Sequence, residues 1–66
     1  MRLKELRKEH RLSLSALGRL VGRSRMTVHS WEKGLTSPDI NDAQRIAQVF
    51  DVTLDELVKE DKAVVA

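Results

Sequence analysis

With 66 residues, no cysteine and a net charge of +2, the chain has room for one small domain held by aliphatic packing around one Trp and one Phe. A domain of this size buries only about 60% of the surface its unfolded chain exposes, which leaves no depth for the cleft most enzymes need. The missing cysteines exclude a disulfide framework and a zinc-finger site. No apolar run approaches the roughly 18 residues of a membrane span, and the opening Met1-Arg2-Leu3-Lys4-Glu5 has no signal-peptide pattern, so a cytoplasmic location is expected.

The charge is unevenly spread. Residues 1–34 carry nine Lys and Arg against three Glu, a balance of +6, and residues 35–66 have a balance of −4. A basic pole on a small domain is the electrostatic footprint of a polyanion ligand, although two solvated faces of different composition would read the same way.

Periodicity and punctuation divide the chain into five short helices and no strand. The first runs from about Arg2 to His10, with Leu3 and Leu6 on one side. Ser13 caps the second, which turns Leu14, Leu17 and Val21 inward and stops at Gly22. Ser24 caps the third, which ends at Gly34, a residue suited to a left-handed cap. Pro38-Asp39 introduces the fourth, with Asp39 as N-cap and Ile40, Ala43, Ile46, Ala47 and Phe50 as its buried stripe. Thr53-Leu54-Asp55-Glu56 opens the fifth as a capping box. The domain is expected over 1–60. Residues 61–66 form a tail that is either frayed, the preferred reading, or a short partner-docking segment.

The second and third helices, with almost nothing between them, have the geometry of a helix-turn-helix. Winding the third at about 100° per residue puts Ser24, Thr27, Val28, Trp31 and Glu32 on one arc. Arg25, Met26, His29, Ser30 and Lys33 fall on the other. The first arc must face the core. The second is polar, mostly basic and free of acids, where an ordinary amphipathic surface helix would mix both signs.

The run Leu12-Ser13-Leu14-Ser15-Ala16-Leu17-Gly18, then Gly22-Arg23-Ser24-Arg25-Met26-Thr27-Val28-His29-Ser30-Trp31-Glu32-Lys33-Gly34, then Pro38 resembles the phage-repressor/Cro-like (XRE-type) helix-turn-helix family. The likeness continues through Arg45-Ile46-Ala47 to Leu57 and covers about residues 2–58. It implies an all-α, compact, five-helix lambda-repressor-like fold with the helix-turn-helix in helices two and three. It also implies that Arg7 pairs with Glu32, which lies at the edge of the inward arc, where an unpaired carboxylate would be costly. Four positions depart from the family's pattern. Leu14 gives up a side-chain phosphate contact, and Ala16 leaves Ser13 without a reciprocal capping partner. Gly18 costs about 0.5–1 kcal/mol of helix propensity while permitting close packing. Arg23 stands in the turn where an aliphatic residue is common.

The function so implied is a DNA-binding transcriptional regulator, a repressor binding a pseudo-palindromic operator as a homodimer. The major groove admits one helix, whose first residues meet base edges. Arg25 is expected to read guanine, Met26 to pack on a thymine methyl, and His29 and Ser30 to reach the next bases. Ser15, Arg23, Ser24, Thr27, Lys33, Thr36 and Ser37 are phosphate candidates. Leu54, Leu57 and Val58, with Val64 and Val65 in the tail as contributors, are expected to form the dimer contact. Trp31 is read as core. His10 and His29 have no second ligand at metal spacing, so no metal or cofactor is expected. The competing reading is a protein-interaction module on the same fold, an antitoxin or coactivator with a toxin or antirepressor partner. An enzyme is disfavoured, because there is no nucleophile elbow, metal set or glycine-rich phosphate loop.

Overall fold

A computed structural model describes residues 1–58. The expected tail 61–66, its Val64 and Val65, and the expected domain end at residue 60 lie outside the described residues. Five helices follow in order, α1 Leu3–Glu9, α2 Leu14–Val21, α3 Arg25–Lys33, α4 Ile40–Phe50 and α5 Leu54–Val58. Among the described residues there is no strand.

Helices α2 to α4 start and stop, and α5 starts, where their end residues satisfy orphan backbone groups, while α1 has no side-chain cap at its start. Ser13 Oγ accepts from the Ala16 amide at 3.0 Å, and Ser24 Oγ from the Thr27 amide at 3.1 Å. Gly22 and Gly34 close α2 and α3 in the left-handed conformation (φ 75° and 77°), where a Cβ would be strained. Asp39 accepts from the Asp42 amide at 2.8 Å, and the Asp42 carboxylate returns toward the Asp39 amide to complete a capping box. At α5, Glu56 accepts from the Thr53 amide at 2.9 Å and Thr53 Oγ1 from the Glu56 amide at 3.1 Å.

The core is one cluster of Leu3, Leu6, Leu17, Val21, Val28, Trp31, Ile46, Ala47, Phe50 and Leu57, with Leu14, Ala43 and Leu54 packed half-buried against it. The Arg2 amide donates to Leu57 O at 2.9 Å and ties the start of α1 to α5. His10 sits at the end of α1, its Nδ1 2.9 Å from Leu6 O and its ring 4.9 Å from that of Phe50.

Two expectations are corrected. Ile40, expected inside, is 62% exposed. It is the first residue of α4, and side chains lean toward a helix N-terminus, so its own lies beyond the end of the buried stripe. Leu57, expected in a subunit contact, is 0% exposed, because α5 folds it back onto its own domain.

Gly18 explains how α2 and α3 come so close. A Cβ built there would lie 2.6 Å from the Arg23 carbonyl oxygen and 3.3 Å from the Ser24 carbonyl carbon. In turn the Arg23 amide donates to Gly18 O at 2.8 Å. The lost helix propensity is the cost of a turn that runs directly over the helix.

Candidate nucleic-acid interface

The second helix of the bihelical unit is held from three sides and leaves its fourth bare. Val28 and Trp31 anchor α3 in the core, and α2 is its main packing partner. At its far end, Arg7 of α1 grips Glu32. Arg7 Nε donates to Glu32 Oε2 at 2.6 Å and Nη2 to Oε1 at 3.1 Å, while Nη1 donates to Leu12 O at 2.9 Å. The two side chains are only 12% and 6% exposed. The hydrogen bond to Glu32 raises the already high pKa of Arg7.

On the outer side Arg25, Met26, His29 and Lys33 are exposed, and Ser30 is half-buried. Concave surface flanks this line on both sides. Toward α4 lies an open groove of about 390 Å³ against Met26, Thr27 and Ser30, continued by Thr36 and Ser37 in the α3–α4 loop. Toward α1 and α2 lie two smaller depressions of about 170 and 220 Å³, the first bordered by Leu14, Arg25, Met26 and His29, the second by Lys4, His29 and Lys33 among others. The helix is therefore a ridge between hollows. A ridge can enter a groove about 12 Å wide, which a flat or cupped surface cannot.

The expected site residues separate in the structure. Arg25, Met26, His29, Ser30, Thr27, Lys33, Thr36 and Ser37 gather along this ridge and its flanks. Ser15, exposed on the first turn of α2, borders none of the three hollows. The Ser24 hydroxyl is engaged locally, capping α3 and lying 3.0 Å from Thr27 Oγ1.

Arg23, expected on a phosphate, also borders the larger groove with its side chain 43% exposed, and its guanidinium is at the same time bonded within the domain. Its Nε donates to Asp42 Oδ1 at 2.9 Å and its Nη2 to Oδ2 at 2.8 Å, with Asp39 Oδ2 3.8 Å away. Hydrogen bonds from Arg23, foremost, hold the buried Asp42 carboxyl below the usual carboxylate range, against the desolvation that would raise it. This clasp escaped the sequence reading. A signal was present: Asp42 stands four residues before Ile46, on the buried stripe of α4, where an acid needs a partner.

Among the described residues no helix is long and apolar enough to cross a membrane, and no group of three or more His, Cys, Asp or Glu could hold a metal ion.

Comparison with known proteins bears on the same stretch. The family model described as helix-turn-helix matches residues 3–57. A protein of Pyrococcus abyssi named as an HTH-type transcriptional regulatory protein is 42% identical over 53 residues, which are 80% of this chain and 17% of that protein. The HTH-type transcriptional regulator AnsR of Bacillus subtilis is 36% identical over 61 residues, 92% of this chain and 53% of its own. The chain thus spans about half of one curated relative and about a sixth of the other. No solved structure matches it significantly.

Proposed function

The chain belongs to the helix-turn-helix family, and on that premise we propose that it binds duplex DNA sequence-specifically and regulates transcription, as a dimeric repressor. The observation that carries this reading is the outer face of α3, an exposed ridge of Arg25, Met26, His29 and Lys33 with no acid along it. Arg25 opens the ridge and has the planar fork that matches guanine O6 and N7. Met26 supplies an apolar contact for a thymine methyl, and His29 and Ser30 follow one turn later. Thr27, Lys33, Thr36 and Ser37 flank the ridge, where strands of the backbone would pass, and Ser15 and Ser24 lie near helix N-termini.

A single helix of nine residues touches too few base pairs to be specific in a genome, so two copies on a pseudo-palindrome are expected, with half-sites about 34 Å apart or a multiple of it. Of the apolar residues on α5, Leu54 and Val58 keep surface for a second copy. Occupied operators would block polymerase.

Selection of bound sequences from a random duplex pool tests the reading. The expected product is an inverted repeat of short half-sites containing guanine. An unenriched pool overturns sequence-specific binding, and enrichment of a lone half-site overturns the dimer.

A further inference from the structure

Arg23 is committed twice, through its backbone to Gly18 O and through its guanidinium to Asp42, nineteen residues on. It stands immediately before Ser24, the N-cap of α3, so whatever fixes Arg23 fixes the start of the ridge. The clasp lands on the first turn of α4, and α3 itself packs mainly on α2. The ion pair is thus a principal tie between the turn and α4.

The clasp also governs charge. Arg23, Asp39 and Asp42 all border the 390 Å³ groove beside Met26, Ser30, Thr36 and Ser37. The two aspartates bring acids to a surface that would otherwise suit a polyanion, where only Arg23 stands between them and an incoming phosphate chain. Asp42 is buried and cannot turn out to water, and its carboxyl is ionised at neutral pH.

We propose that Arg23 is a positioning residue for DNA binding: by pairing with Asp42 it holds the turn against α4 and masks a carboxylate facing the DNA, and it acts through Asp42 and not by touching a phosphate. The inference rests on the DNA-binding reading above. Nε and Nη2 both point at Asp42, and Asp39 faces Nη2, so the guanidinium is turned toward α4.

The test compares duplex affinity per folded molecule, and its salt dependence, in four proteins: the parent, Arg23→Ala, Asp42→Asn, and Arg23→Ala/Asp42→Asn. Helical circular dichroism gives the folded fraction of each. Arg23→Ala alone should weaken binding about tenfold, the effect of an uncovered like charge at an interface. The Asp42→Asn protein keeps only the solvated, more distant Asp39 beside Arg23 and lacks the clasped carboxylate, so removing Arg23 from it should change affinity less than about twofold and leave the salt slope unaltered. A large loss in the Asp42→Asn background, with the slope of log K against log salt falling by about 0.9, would make Arg23 a phosphate contact and overturn the proposal. So would an Arg23→Ala protein that, once folded, binds as well as the parent, since the clasp would then serve stability alone. If Arg23→Ala does not fold, Arg23→Gln, which keeps a donor without the charge, replaces it under the same expectations. A parent that binds no duplex overturns the DNA-binding reading and this inference with it. A parent that binds, with the variants failing to diverge, overturns the inference alone.

Discussion

Arg7 and Glu32 show how much a single pair can carry in so small a domain. Both side chains are nearly enclosed, and three hydrogen bonds from one guanidinium join α1, the α1–α2 loop and the end of α3. Removing the arginine leaves a largely buried carboxylate without its bidentate partner. Arg7→Ala should therefore lose about 3 kcal/mol, against a few tenths for the exposed Lys4→Ala, as read from urea midpoints. Equal midpoints would show the pair to be a mere surface contact. Gly18 presents the opposite case, in which propensity and packing disagree. Propensity alone would have Ala at 18 stabilise α2 by about 0.5–1 kcal/mol. The 2.6 Å approach of a Cβ to the Arg23 carbonyl, which is backbone and cannot swing aside, reverses the sign. Gly18→Ala should lower stability by about 1–3 kcal/mol, the usual range for overpacking, and a raised melting temperature would refute the steric account.

The helices themselves were legible because their signals are local. Ser13, Ser24 and Asp39 each cap within three residues, and Gly22 and Gly34 stop what precedes them, so every predicted boundary lies within a residue or two of the observed one. What stayed hidden is long-range. No local rule reveals that Arg23 will meet Asp42, so from sequence the turn arginine is legible only as a phosphate candidate. Ile40 went wrong for an end-effect reason, since a stripe continued to the first residue of a helix runs off the core. The ridge of α3 sits between these extremes. Its two arcs follow from periodicity, but the hollows beside it need the α3–α4 loop in place. Arg25 stands at the first position of this element, exposed and outward. If it reads guanine, Arg25→Ala should cost about 1–3 kcal/mol on the selected operator and relax preference at one base pair per half-site. Lys33→Ala should weaken all duplexes alike and lower the salt slope by about one. Competition binding against single-base operator variants distinguishes the two patterns, and uniform weakening by Arg25→Ala would move it to the phosphate group.

At the scale of the whole molecule, acid and association probe different seams. Asp42 has its pKa lowered in the folded state, so its contribution is complete above the unfolded carboxylate value and is lost as pH falls through the lower, folded one. The parent should therefore lose stability below about pH 4, and Asp42→Asn should show a shallower acid limb in melts between neutral pH and about pH 2.5. Matching limbs would place the acid-sensitive group elsewhere.

The proposed association turns on how α5 divides its apolar residues. Leu57 is taken up inside, Val58 is 53% exposed, and Leu54 lies between. Substitution by aspartate should then give two distinct phenotypes from neighbouring positions. Leu57→Asp puts a charge into a sealed core and should cost at least about 3 kcal/mol, a large share of what a domain of this length has to lose. Its defect should appear as lost helicity at every concentration. Val58→Asp adds a charge already in contact with water, so helicity should persist while the sedimentation coefficient falls to that of a monomer. Were Val58 near the two-fold axis, the two new charges would also repel across it, an effect that added salt should partly reverse. If Val58→Asp sediments like the parent at every concentration, the second copy sits on another face. Ile40, as exposed as Val58 but at the opposite end of α4 from α5, would be the next position to charge.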